Sequence, residues 1–74
     1  MDYLNRIISN PEIMLGKPII KGTRITVELI LRKIAEGMEI EELLDAYPQL
    51  KREDVLAAVS YSADVIAKEE LLAV

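Results

Sequence analysis

Few residues in this chain have the types and spacing that do chemistry, and most of them lie in one stretch. Gly16-Lys17-Pro18-Ile19-Ile20-Lys21-Gly22-Thr23-Arg24-Ile25 sets three cations between and beside two glycines, the general pattern of an anion cradle. A phosphate-gripping loop has four residues between its glycines and a Lys-Ser/Thr pair directly after the second. Here five residues separate Gly16 from Gly22, and Thr23-Arg24 follows. Nucleotide binding is therefore disfavoured, and the stretch reads as a structured basic arm. Gly16 and Gly22 take backbone angles costly for other residues. Pro18 and Thr23 complete the path, and Arg24 is expected to tie the arm to the rest through carbonyl or carboxylate hydrogen bonds in preference to contacting a ligand.

The other candidates for chemistry fail on geometry. Glu41-Glu42, Glu53-Asp54 and Glu69-Glu70 are adjacent pairs, and adjacent residues on a helix point in different directions. With no His and no Cys, the serines Ser9, Ser60 and Ser62 have no base to activate them. The sequence predicts no catalytic residues, no metal site and no cofactor, hence a protein that is not an enzyme.

The elements that must position the basic arm follow from periodicity. Ile7-Ile8 and Pro18-Ile19-Ile20 are short extended pieces joined by a loop that turns at Asn10-Pro11. Strands this short need support from the helices or from pairing across a dimer. From Thr26 the spacing becomes helical, with Val27, Ile30, Leu31 and Ile34 on one face, and Gly37 as C-terminal cap. Ile40, Leu43, Leu44 and Tyr47 repeat the spacing, and Pro48 ends that second helix. A third helix is predicted from about Arg52 to Leu71. With Thr26, Glu39 and Lys51 as N-caps, the pairs Ile25/Ile30, Met38/Leu43 and Leu50/Val55 fall at staple positions. Only Thr26 is a good capping residue; Glu39 and Lys51 are poor ones.

Seventy-four residues make a single domain, 1–74, with a β arm over 1–25 and a helical bundle over 26–74. A core this small is marginal, and without disulfides or a metal the default source of further stability is a homodimer or an obligate partner. No apolar run reaches the roughly 18 residues of a membrane span, and the start of the chain is no signal peptide. The reading is a soluble, cytoplasmic protein with no membrane role.

Net charge is −4, unevenly spread. Residues 1–34 hold six Lys/Arg against three acids, and residues 35–74 hold three against ten. That division gives two surfaces with different jobs, or an acidic helical surface that is simply solvated. The second and third helices, with their turn at Tyr47-Pro48-Gln49-Leu50, resemble a helix-turn-helix with an extended turn, which places the start of its second helix in the DNA major groove. Lys51 and Arg52 suit phosphates there, while Glu53 and Asp54 repel them. Val55-Leu56-Ala57-Ala58-Val59 is apolar nearly all round, so the third helix reads more as core and dimer contact than as a base reader. Candidate interface residues are Leu56, Val59, Tyr61, Val65, Leu71 and Leu72.

Asn10-Pro11, the Gly16–Ile25 stretch, Glu36-Gly37-Met38, Glu41-Glu42-Leu43-Leu44 and Tyr47-Pro48-Gln49-Leu50 occur in an order that resembles the domain-of-unknown-function family numbered 433. The match runs over about residues 5 to 66, and its Gly-Lys-Pro…Gly-Thr-Arg signature is specific. The resemblance implies a mainly α, homeodomain-like three-helix fold behind a short β arm. It also implies an antitoxin of VapB type, the partner of a PIN-like ribonuclease toxin and a repressor of its own operon. The family often has Pro at the place of Thr26, and Ser or Thr at those of Glu39 and Lys51, so caps here are weaker or supplied differently. The residues after Ala67 form the candidate toxin-binding tail.

Two functions follow as expectations. The first is a non-enzymatic, dimeric antitoxin-like protein, contacting operator DNA through Lys17, Lys21, Arg24, Arg32, Lys33, Lys51 and Arg52, with Gly16, Pro18, Gly22, Thr23, Gly37 and Pro48 fixing the scaffold. The second is a protein-interaction adaptor or dimerisation module with no nucleic-acid role.

Overall fold

The computed structural model describes residues 3–68. Strands β1 (Ile7–Ile8) and β2 (Ile19–Ile20) pair antiparallel, Ile7 opposite Ile20 and Ile8 opposite Ile19. Helices α1 (Val27–Ala35), α2 (Ile40–Ala46) and α3 (Arg52–Ala67) follow. The fold is mainly helical, three helices with a two-stranded antiparallel sheet at the N-terminal side.

The strands pair with each other and lie on the helices, so neither needs a second chain. Ile19 and Ile20 are buried on opposite sides of β2. The far edge of β2 is closed as well: Ile20 N–H donates to the Ile25 carbonyl at 2.9 Å, and Val27 N–H donates to the Pro18 carbonyl at 2.9 Å. Between the strands, the Asn10 side chain accepts from Glu12 N–H at 2.9 Å, a turn that Asn before Pro favours. Met14, Leu15 and Gly16 then form a single turn with φ of 50°, 59° and 83°. The sequence carries no sign of left-handed backbone at the first two, which are not glycine.

All three staple pairs belong to one apolar cluster with Ile20, Val27, Ala58 and half-buried Tyr61. Gly37, at φ 99°, lets the chain leave α1. Met38 N–H then reaches the Lys33 carbonyl at 3.1 Å and Gly37 N–H the Ile34 carbonyl at 3.0 Å, the paired bonds of a Schellman cap.

The helix starts are capped in two ways. Thr26 Oγ1 accepts from Leu29 N–H at 3.0 Å. At α2 and α3 the third helical residue does the work: Glu42 accepts from Glu39 N–H at 3.0 Å, and Asp54 from Lys51 N–H at 2.9 Å. A lysine side chain has no acceptor, so Asp54 N–H turns to the Lys51 carbonyl at 2.9 Å. The weak N-cap residues are thus relieved by carboxylates one turn on, which also suit the positive helix end.

α3 is described over Arg52–Ala67 with Lys68 at its cap, and the predicted end at Leu71 lies outside the described residues. Leu71, Leu72 and the proposed toxin-binding tail from Glu69 onward lie outside the described residues.

Candidate nucleic-acid interface

The start of α3 is where the acids were expected to repel DNA, and the structure corrects this for one of the two. Asp54 is 6% exposed and points inward. Arg6 Nη1 donates to its Oδ1 at 2.9 Å, while its Oδ2 accepts from Lys51 N–H. Its charge is met by a guanidinium and a helix N-terminus, and little of it reaches solvent. Arg6 arrives from the turn before β1, and Lys21 N–H donates to its carbonyl at 2.8 Å, so the arm is pinned to α3 at this point. Glu53 stays exposed.

Beside this pair the Ile20–Ile25 loop is closed by one side chain. Thr23 N–H bonds the Ile20 carbonyl at 3.0 Å across a turn whose third residue, Gly22, has φ 82°. The Thr23 hydroxyl donates to the same carbonyl at 2.8 Å and accepts from Ile25 N–H at 2.9 Å. Gly22 and Thr23 thus build the loop, and Arg24 does not. The expectation that Arg24 ties the arm to the helices is corrected: it is exposed and, among the described residues, makes no hydrogen bond or ion pair through its side chain. The hydroxyl already takes the Ile20 carbonyl, an acceptor of the kind that Arg24 was expected to meet.

The seven cations named from the sequence fall into two sets. Lys17 and Arg32 both hold Glu28, each at 3.0 Å. Lys33 lies 3.7 Å from Glu36, and Arg52 holds Glu41 at 2.8 Å. The Glu28 carboxyl is drawn below the ordinary glutamate range, first by its hydrogen bond from Lys17 and then by that from Arg32. Lys21, Arg24 and Lys51 make no such pair among the described residues. Those three gather around Gln49 in the α2–α3 turn. Lys21 and Lys51 line a polar hollow of about 220 Å³ with Asn5, Arg6, Gln49 and Asp54. Arg24 and Gln49 share the edge of the adjoining apolar hollow under Ile8, Ile13 and Leu29. The arrangement suits an anion approaching the beginning of α3. Arg6 was absent from the sequence-derived set because its role depends on a partner 48 positions away.

The residues named for a protein interface also separate. Leu56 and Val59 are exposed on the side of α3 away from the core. Tyr61 and Val65 face α1, where with Pro18, Val27 and Leu31 they line an apolar groove of about 480 Å³ rimmed by Lys17, Glu28 and Arg32. Tyr61 is partly committed within the chain, its ring edge-to-face with Tyr3 at 5.5 Å. Among the described residues, no three of His, Cys, Asp and Glu are grouped to hold a metal ion. No helix there is long and apolar enough to cross a membrane.

The family model described as "Protein of unknown function (DUF433)" matches residues 7–62. Among curated proteins, the "Uncharacterized protein y4eO" of Sinorhizobium fredii is 34% identical over 56 residues, covering 76% of this chain and 25% of that protein. A crystal structure of a DUF433 member from Anabaena variabilis superposes with a TM-score of 0.81 at 32% identity, over 88% of this chain and 64% of that one. The chain thus spans about a quarter of the first relative and under two thirds of the second.

Proposed function

This chain belongs to the family described as a protein of unknown function, DUF433, and we propose that its work is binding without catalysis, as the antitoxin-like member of a type II toxin–antitoxin pair. In this reading the beginning of α3 grips the backbone of operator DNA in a cytoplasmic setting, and the protein neutralises a PIN-like ribonuclease. The observation that carries the DNA half is the sorting of cations. Four of the seven are matched to carboxylates, whereas Lys21 and Lys51 line the hollow at the helix start, where Arg6 already balances the nearest buried acid, and Arg24 lines a second hollow that shares Gln49 with it. Phosphates are the anions such a cluster suits, and contacts to them set position and affinity more than sequence choice. What supports the protein-partner half is the groove between α1 and α3, apolar within and charged at its rim.

Co-expression with the adjacent reading frame, followed by size-exclusion chromatography and a ribonuclease assay, tests the pairing. The expected result is a complex whose nuclease is silent until the two chains are separated. A stable complex with a protein that is not a nuclease would instead favour the adaptor reading, to which the net charge of −4 is also suited.

A further inference from the structure

The two-stranded sheet is apolar on both faces, and the helical core covers only one of them. In the register of β1 and β2, Ile7 and Ile20 stand opposite each other and pack with the apolar cluster of the helices. Ile8 and Ile19 form the neighbouring pair and take the other face, because successive side chains of a strand point to opposite sides. An antiparallel sheet ordinarily turns polar residues to its solvated face. Here Ile19 is fully buried, Ile8 and Ile13 are half-buried, and none of the three belongs to the helical cluster. With Leu29 and Tyr47 they line a hollow of about 700 Å³, a size typical of small-molecule sites.

Three polar side chains line the same hollow with bonding capacity to spare. Arg24, Tyr47 and Gln49 make no side-chain hydrogen bond or ion pair among the described residues. Thr23 differs, since both of its hydroxyl bonds are spent inside the loop. Each of the three offers N–H or O–H donors, and no Asp or Glu among the described residues lines the hollow. A guanidinium with no carboxylate of its own is suited to an incoming one, which its planar fork can meet with two parallel hydrogen bonds.

We propose that this hollow binds a small organic acid with an apolar body, its carboxylate on Arg24 and its body against Ile8, Ile13 and Leu29. Tyr47 and Gln49 are the further donors within the site. Both halves of the ligand are needed. An inorganic anion would leave the isoleucines uncovered, and a neutral hydrocarbon would displace water from three donors without replacing its hydrogen bonds. Arg24 is also one of the cations of the proposed DNA site, so the acid and the DNA backbone compete for it; this clause alone rests on that reading.

Amide NMR titration of the full chain with 3-phenylpropanoate at about pH 7, where the acid is ionised, tests the site. Expected are saturating shifts at Ile8, Ile13, Arg24 and Leu29, with a Kd of about 1 mM. Acetate lacks the apolar body and 3-phenylpropanamide lacks the charge, and each is expected to bind about tenfold more weakly. Arg24→Gln, with its fold checked by a melting curve, should also weaken the acid about tenfold. Lys33→Gln makes the same change in net charge at a residue paired with Glu36, and should leave the affinity within about twofold of wild type. Equal affinity for the acid and its amide, or for the acid and acetate, would overturn the proposal. So would shifts confined to the α1–α3 groove, or no saturation by about 20 mM. Tighter binding of the peptide Gly-Gly-Phe than of the free acid would make the hollow a peptide site and overturn it equally. No nucleic acid enters the titration, so failure of this site and failure of the DNA reading are seen separately.

Discussion

Arg6 and Asp54 lie 48 positions apart in sequence and meet at 2.9 Å, joining the turn before β1 to the first turn of α3. The same carboxylate caps α3 through Lys51 N–H. One buried acid thus fixes where the arm lies, how the helix begins and how much negative charge the helix start presents.

Replacing Asp54 separates these roles. Asp54→Ala removes the cap and leaves the half-buried Arg6 without its partner, and should cost about 2 kcal/mol, below the full figure for a buried pair because Arg6 is partly solvated. Urea unfolding measures it, and a loss under about 0.5 kcal/mol, the range of an ordinary surface change, would show that the pair does not anchor the arm. Asp54→Asn keeps an acceptor for Lys51 N–H, so it should be milder and should tighten DNA binding.

Thr23 is expected to be the structural centre of the Gly-Thr-Arg signature. Thr23→Val preserves shape and deletes both hydroxyl bonds, with an expected cost of about 1–2 kcal/mol. Thr23→Ser should recover most of that, and Arg24→Ala should leave stability within about 0.5 kcal/mol of wild type. Equal losses for Thr23→Val and Arg24→Ala in thermal melts would mean the arginine helps close the loop after all.

These two sites also show how far the sequence could be read. The apolar positions follow local periodicity, so the three staple pairs and the three helices were visible in spacing alone. The carboxylate caps were not, because Glu39 and Lys51 are poor caps and nothing local indicates that Glu42 and Asp54 relieve them. Asp54 read as a charge facing DNA because its partner is remote in the chain. Arg24 read as a tie because a loop cation usually finds a carbonyl, and here the neighbouring hydroxyl reached those groups first. The left-handed turn at Met14 and Leu15 has no marker in residue type at all.

Glu28 gives the acid limb of the stability curve. Its carboxyl is held below its ordinary value by Lys17 and Arg32, so the folded state binds its proton less readily than the unfolded one. The stabilisation is present above the unfolded value of about 4.3 and fades as pH falls through the lowered folded value. The stability gap between wild type and Glu28→Gln should therefore close as pH is taken from 7 toward 3. Being exposed, the cluster should also lose its effect in high salt. A gap that stays constant with pH would assign the effect of Glu28 to something other than its charge.

The phosphate grip at the start of α3 is tested most directly by the salt dependence of operator binding. Two protomers making three phosphate contacts each should give a log–log slope of about −5. The triple change Lys21→Gln, Arg24→Gln and Lys51→Gln should abolish most of that slope together with the affinity. A control with the same change in net charge, Lys17→Gln, Arg32→Gln and Lys33→Gln, should leave the slope within about one unit of wild type. Equal losses in the two triple variants, or a wild-type slope near zero, would contradict a site built from the three unpaired cations.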